Sequence, residues 1–341
     1  MDYQPLGRQG PRVSALGLGT MGMSDMYGPA DRAESIATIH AALEQGVTLL
    51  DTGDFYGMGH NELLVGEALR GRRRDQVLIS VKFGALRGPR PGEFNGYDSR
   101  PAAVRNFVAY SLKRLGVDYI DIYRPARLDP AVPIEETIGA IGELIRQGYV
   151  RYVGLSEVGA ATIRRAQAVH AIADLQIEYS LISRGIERQI LPTCRELGIG
   201  ITAYGVLSRG LISGHWTRDR ASGDFRARAP RFQGDNLDLN LALVEELRTV
   251  AQAIGASVAQ VAIAWVLARA ADQQACIIPL LGARRREQLD ETLGALQVRL
   301  SAAQLAEIER AMPADSAAGA RYPEAQLAHM DSEKEHADAG R

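Results

Sequence analysis

Three side chains have the types and spacing to move a proton. Asp51 ends the apolar run Val47-Thr-Leu-Leu50, and Tyr56 follows on the same loop between Gly53 and Gly57. Lys82 ends a second apolar run, Leu78-Ile-Ser-Val81. A buried ammonium requires a partner, because an isolated charge is costly away from water. Asp51 on a neighbouring strand can supply it. An ammonium beside a phenol favours the phenolate and lowers its pKa, so Tyr56 is expected to serve as a general acid near neutral pH. The competing reading is a structural Asp–Lys pair with a tyrosine nearby.

These residues need elements that bring strand ends together, and the chain repeats one unit that does so: strand, polar loop, amphipathic helix, glycine stop. Residues 1–14 read as a hairpin turning at Gly7-Arg-Gln-Gly-Pro11, followed by a first strand at 15–20. Asp31 opens a helix, with Glu34 completing a capping box and Gly46 ending it. Further strands follow at 47–51, 77–82, 119–123, 150–154, 175–178, 199–204 and 275–279. Between them lie helices that stop at Gly116, Gly148 and Gly198. A glycine- and arginine-rich insertion spans 205–237 after the seventh strand. Helices are expected at 238–254, 257–270 (capped by Ser257 with Gln260), 284–296, and Ser301 (with Gln304) to Met312. Eight apolar strands alternating with helices predict a closed (β/α)8 barrel, a TIM barrel, over 1–312. Residues 313–341 read as a polar, loosely held tail. The rival doubly wound sheet requires G-x-G-x-x-G directly before a helix. Gly17-Leu-Gly19-Thr-Met-Gly22 misplaces its third glycine, and Met23–Pro29 intervene before the helix.

Composition narrows the partners. With 39 Lys+Arg against 41 Asp+Glu the net charge is −2, which gives no electrostatic reason to expect nucleic acid or an anionic membrane. No apolar stretch approaches the roughly 20 residues of a membrane helix, and the N-terminus has no signal-peptide pattern. Cys194 and Cys276 lie far apart, without metal spacing, and read as reduced core residues of a cytoplasmic protein. No metal is expected. The sequence sets no oligomeric state.

Leu-Leu-Asp51-Thr-Gly-Asp-Phe-Tyr56-Gly with Asn61-Glu62, then Lys82, then Arg114-Leu-Gly-Val-Asp-Tyr-Ile-Asp-Ile-Tyr123, resembles the aldo-keto reductases. The resemblance continues through Gly154-Leu-Ser-Glu157, Gln176-Ile-Glu-Tyr-Ser180, Tyr204-Gly-Val-Leu-Ser-Arg-Gly210 and Ile278-Pro-Leu-Leu-Gly-Ala-Arg284. Gly223-Asp-Phe-Arg226 and Pro230-Arg-Phe-Gln-Gly234 point to its bacterial and plant group. The resemblance implies reversible hydride transfer between a nicotinamide dinucleotide, usually NADPH, and an aldehyde, ketone or alcohol. It makes Tyr56 the proton donor, tuned by Lys82 and Asp51. It places Gly19, Thr20, Met21 and Asp51 on the cofactor. Ser156 and Glu157 would hold the carboxamide with Gln176 beside them, and Tyr204 would stack on the nicotinamide. Gly205, Val206, Leu207, Ser208, Arg209 and Leu211 would line the pyrophosphate. Gly282, Arg284, Gln288 and Thr292 would meet the 2′-phosphate and adenine. A phosphate there wants a guanidinium, which Arg284, Arg285 and Arg286 can supply, so NADPH is favoured over NADH. Thr292 stands where the family usually has asparagine.

One departure matters. The family's histidine after the fourth strand sits in a His-Arg-x-Asp-Pro setting, and here Ala126-Arg127-Leu-Asp129-Pro130 puts an alanine in its place. None of His40, His60, His170, His215, His329 and His336 is close in sequence. Losing such a donor costs about 3 kcal/mol of transition-state stabilisation. Three readings follow: a reductase that stays active with a water or the substrate's own hydroxyl in the gap, a pocket suited to a bulkier or cyclic substrate, or a cofactor-binding sensor or regulatory protein with little turnover. Phe55, Phe83, Arg124, Ala126 and Arg127 are expected to face the substrate. The two arginines fit an anionic or hydroxylated substrate, or pairing with Asp129 and surface carboxylates.

Overall fold

The computed structural model describes every residue except 25, 91, 220–223 and 339–341, and no side chain from 335 to 338. Gly223 of the Gly-Asp-Phe-Arg run therefore lies outside the described residues. Eight parallel strands close into a ring: β1 (Gly17–Gly19), β2 (Leu49–Gly53), β3 (Leu78–Phe83), β4 (Ile120–Pro125), β5 (Val150–Ser156), β6 (Ile172–Glu178), β7 (Gly200–Tyr204) and β8 (Ile277–Gly282). They are ordered in space as in sequence, and Leu281 of β8 pairs with Leu18 of β1. This is the expected (β/α)8 barrel.

Both faces of most strands are buried, one by the barrel interior and one by helices. Inside, Leu49, Ile122, Ile278 and Leu280 pack with Leu6 and Val13 of the N-terminal hairpin (Tyr3–Pro5 with Arg12–Ser14). That hairpin closes the end away from the functional mouth: Gly7, at φ +72°, lies where a Cβ would come within 2.6 Å of the Gly200 amide at the start of β7. Outside, α1 (Arg32–Glu44), α2 (His60–Leu69), α3 (Pro101–Leu115), α4 (Ile134–Arg146), α5 (Ala160–Val169) and α6 (Ile190–Leu197) follow the first six strands. Gly116 and Gly198 end α3 and α6 in the left-handed conformation.

The Asp31 carboxylate caps α1 through the Glu34 amide at 2.7 Å, but the Glu34 side chain pairs with Arg286, so that capping box is only half formed. The boxes at Ser257–Gln260 and Ser301–Gln304 are complete. The insertion after β7 is built of short 3-10 turns and leads into α7 (Gly234–Ile254), then α8 (Val258–Asp272), α9 (Arg286–Leu293) and α10 (Ala302–Ala311).

Two features depart from the sequence reading. A second hairpin, Ala85–Arg87 with Phe94–Tyr97, follows β3. After Pro313 the described chain is held rather than loose: short helices at Glu324–Leu327 and Asp331–Asp338 follow, and polar contacts of residues 321–333, described below, dock the segment at the barrel mouth. Among the described residues no single helix is long and apolar enough to cross a membrane.

Candidate active site

The C-terminal ends of all eight strands open on one face, as this barrel geometry requires. Register places Gly19 beside Asp51, Asp51 beside Ser80, Gly53 beside Lys82 and Lys82 beside Arg124. One oxygen of Asp51 accepts from Ser80 Oγ and Gln176 Nε2, each at 2.8 Å, and the other accepts from Lys82 Nζ. Asp51 and Lys82 are both 4% exposed, so the pair is withdrawn from water. Lys82 Nζ stands 5.1 Å from the centre of the Tyr56 ring. After Tyr56 the backbone kinks through left-handed Gly57 and Met58, leaving the phenol buried and edge-on to Phe55 at 4.8 Å. Ser156 Oγ accepts from Arg127 Nη1 at 3.3 Å, and Ala126 is buried with its amide donating to the Phe83 carbonyl. His60 stands at the start of α2, its Nδ1 3.0 Å from Ser24 Oγ.

Burial, then the Asp51 charge, push the Tyr56 phenol well above its ordinary value, and Arg127 is the leading cation opposing them. Burial also pulls the Lys82 ammonium down, against Asp51. Lys82 is not among the leading influences on the phenol, which are burial and Asp51. Next to it, burial and the Glu62 charge push the Asp54 carboxyl up to about 7.

On the opposite side, the loop after β7 turns left-handed at Gly205, Ser208, Arg209 and Gly210. Ser208 Oγ is buried there without a partner among the described residues. Across the gap, Arg284 donates to the carbonyls of Tyr27 and Pro29, Gln288 accepts from the Arg284 amide, and Arg286 pairs with Glu34. Arg285, at the N-cap of α9, is exposed. An orphaned hydroxyl, a run of left-handed backbone and a helix start carrying an arginine fit the phosphates of a nicotinamide dinucleotide. Gly19 and Met21 border this side, and the Thr20 amide and hydroxyl both donate to the Asp51 carbonyl, fixing β1 to β2.

Several expected contacts are corrected. Phe83 is fully buried on the outer face of β3, stacked on Tyr123 at 4.3 Å, and does not face a substrate. Arg124 is sealed inside the barrel on Asp174, Thr202 and Ser80. Asp129 takes the amides of Ser99 and Ala131, not an arginine. Thr292 donates within its own helix, to the Gln288 and Leu289 carbonyls. Val206 and Leu211 are core side chains, whereas Leu207 is half-buried. Gln176 gives its amide to Asp51. Glu157, expected on the carboxamide, has both oxygens filled: by Arg321 Nη1 and Nη2 at 3.0 and 2.6 Å, Tyr204 OH at 2.6 Å, Ser332 Oγ at 2.7 Å and the Glu178 amide at 3.0 Å.

Sequence reasoning missed the residues that hold the C-terminal segment. Arg321 also pairs with Glu178 and Glu333, its carbonyl accepts from Arg209, and Tyr322 OH meets Tyr204 OH at 2.9 Å. Arg209 itself pairs with Glu178 and lies 4.2 Å over the Tyr322 ring. The segment carries no apolar period, and its only sequence signal is an Arg-Tyr pair within a polar stretch.

The eight-stranded parallel barrel thus carries a carboxylate, an ammonium and a phenol at its mouth, facing a loop suited to an anion. Residues 15–312 match the Aldo/keto reductase family, and the chain belongs to it. A probable aldo-keto reductase from Glycine max is 43% identical over 320 residues, covering 93% of this chain and 90% of that one. A solved glycerol dehydrogenase from Gluconobacter oxydans superposes with TM-score 0.81 at 32% identity, covering 91% of this chain and 94% of its own. A thermostable aldo-keto reductase solved with the inhibitor epalrestat gives TM-score 0.72 at 28% identity, covering 91% and 100%. The chain is thus an oxidoreductase of the carbonyl–alcohol type, a class that generally uses NAD(P)H and small-molecule substrates.

Proposed function

We propose that the protein reduces an aldehyde or ketone with NADPH, Tyr56 serving as proton donor. The observation that carries this reading is the buried Asp51–Lys82 pair beside the Tyr56 ring. When bound, NADPH supplies the hydride for the carbonyl carbon and becomes NADP+. Tyr56 gives its proton to the carbonyl oxygen as the carbon takes the hydride, so the product leaves as the alcohol. The resulting phenolate is stabilised by Lys82, which Asp51, Ser80 and Gln176 hold in place. Reversal oxidises an alcohol by the same route.

The residues expected to hold the cofactor are Ser156 at the carboxamide, Tyr204 under the ring, Gly205 to Arg209 on the pyrophosphate and Arg284, Arg285 and Gln288 at the 2′-phosphate. The exposed Arg285 supports NADPH over NADH. A second reading, a cofactor-binding sensor with little turnover, rests on Ala126, which leaves one polarising donor missing.

Replacing Tyr56 with Phe tests the proposal. Turnover of a panel of activated aldehydes should fall by at least about a thousandfold, as expected when the proton donor is lost. NADPH affinity, read from nicotinamide fluorescence, should stay within a few-fold of wild type. Undiminished turnover in the Phe variant sinks the mechanism. Tight NADPH binding by wild type without oxidation by any aldehyde selects the sensor reading.

A further inference from the structure

On the loop after β4, among the described residues, one guanidinium has no carboxylate partner. Arg127 is half-buried on the loop after β4, yet no carboxylate oxygen lies within 4 Å of it among the described residues. Five other cations of the mouth and barrel interior are paired: Lys82 with Asp51, Arg124 with Asp174, Arg209 with Glu178, Arg226 with Asp224 and Arg321 with Glu157. The carboxylate that most influences Arg127, Glu157, is already filled by Arg321, Tyr204 and Ser332. The remaining influences on it are the phenols Tyr204, Tyr322 and Tyr97. Nη1 is engaged, donating to the Ala126 carbonyl at 2.6 Å and to Ser156 Oγ. A guanidinium has five N–H groups, and the three on Nε and Nη2 meet no acceptor among the described residues. These atoms are not among the sealed polar atoms of the interior, so they are open to the mouth, where an anionic group of a ligand can reach them.

Position decides which ligand. Around the closed ring β4 lies diametrically opposite β8, with β2 and β3, which carry Asp51 and Lys82, on one side between them. Phosphate sites in this fold form at the loops after strands 7 and 8, where Ser208 and Arg285 lie. Arg127 is therefore on the far side of the mouth from the dinucleotide phosphates, near enough to Tyr56 to be the principal cation acting on it. That position is reached by a substrate rather than by the dinucleotide phosphates.

We propose that Arg127 is a specificity-determining residue that binds a carboxylate on the substrate, so that the favoured substrates are aldehyde or keto acids and the corresponding hydroxy acids. This rests on the carbonyl-reductase reading above.

The test compares 2-, 3- and 4-carboxybenzaldehyde, each against its methyl ester, with saturating NADPH. The ester keeps the ring and removes the charge; it withdraws electrons more strongly than the carboxylate, so intrinsic reactivity favours the ester and works against any acid preference. For at least one isomer, wild-type kcat/KM for the acid should exceed that for the ester by about tenfold or more, the scale of a charge-assisted bidentate contact. In Arg127→Gln the acid-to-ester ratio should fall to about one. Arg127→Lys, which keeps the charge and loses the fork, should give an intermediate ratio with a raised KM for the acid. Esters turned over by wild type with no acid preferred overturn this inference and leave the reductase reading standing. A preference that survives in Arg127→Gln while both rates fall together also overturns it, and makes Arg127 a donor to the carbonyl oxygen instead. No turnover of any of the six aldehydes overturns both.

Discussion

The C-terminal segment is held to the barrel by a buried ion pair, and cutting it has a calculable effect. Glu157 is fully buried and Arg321 is 11% exposed at its side chain. Burial alone would push the Glu157 carboxyl up, but Arg321 overrides it and holds the group well below the usual carboxylate range. Replacing Arg321 with Leu removes both guanidinium contacts and leaves Glu157 beside Glu178 without its principal cation. Breaking a buried pair in this way costs about 3–5 kcal/mol. The segment can escape that cost by undocking, so the loss should appear first as local opening. Because each 1.4 kcal/mol is tenfold in an equilibrium, a 3 kcal/mol loss accelerates amide exchange in 321–332 roughly a hundredfold. The Gly159 amide, which donates to Asp331 at 2.9 Å, should lose protection with it. The pH dependence has a fixed sign. A depressed carboxyl contributes stability that is present above its unfolded value and lost as pH falls through the folded one. The gap between wild type and variant is therefore full at pH 7 and narrows below about 4. Exchange rates in 321–332 that are unchanged in the variant at pH 7 would refute the reasoning, because the pair would then not be what docks the segment.

Other perturbations follow from the same structure. Asp51→Asn leaves the Lys82 ammonium buried without a carboxylate. It should cost about 3 kcal/mol in urea denaturation near pH 7, with the deficit shrinking towards pH 10 as the amine becomes neutral. Asp54, pushed up to about 7, penalises folding increasingly as pH rises from its unfolded value to that point. Asp54→Asn should therefore be more stable than wild type at pH 8, by about 2–4 kcal/mol, with the gain gone by pH 4. An equal gain at both values would trace the effect to something other than ionisation. Arg285→Gln should weaken NADPH binding about tenfold or more while leaving NADH nearly unchanged. Parallel loss of both nucleotides would place the 2′-phosphate elsewhere.

The barrel was legible because its signals are local and repeated: apolar strands, helices of matching period and glycines at their ends. The Asp51–Lys82 pair was legible because both residues stand at strand ends, where barrel closure brings them together. Strand parity was available too and was not applied. Side chains alternate between faces along a strand, so a lysine inside the barrel at 82 sends Phe83 outward, where it stacks on Tyr123. The same alternation carries Arg124, two residues after the interior Ile122, into the barrel and onto Asp174. The hairpin at 85–97 was missed because Gly88-Pro-Arg-Pro-Gly92 reads only as a turn-rich loop. The C-terminal segment was illegible for a different reason. Arg321, Tyr322 and Ser332 dock by a few polar contacts to residues more than a hundred positions away, and such contacts leave no period in the chain.

The charges of the mouth carry the functional argument beyond those three residues. Asp51, Glu157, Asp174 and Glu178 all lie on β2, β5 and β6 or directly after them, and each is matched to a cation that the fold itself brings. Such matching neutralises the interior and leaves little field to select a ligand. Selection then falls to the cations that stay unmatched, and these stand at opposite rims: Arg285 after β8 and Arg127 after β4. In the proposed reading, a dinucleotide held at the first rim and an acid held at the second would both reach towards Tyr56. Two anionic groups fixed across one barrel mouth would bring the reacting carbon and the transferable hydride together without a histidine to steer them. That supplies a physical reason for the site to tolerate alanine at 126.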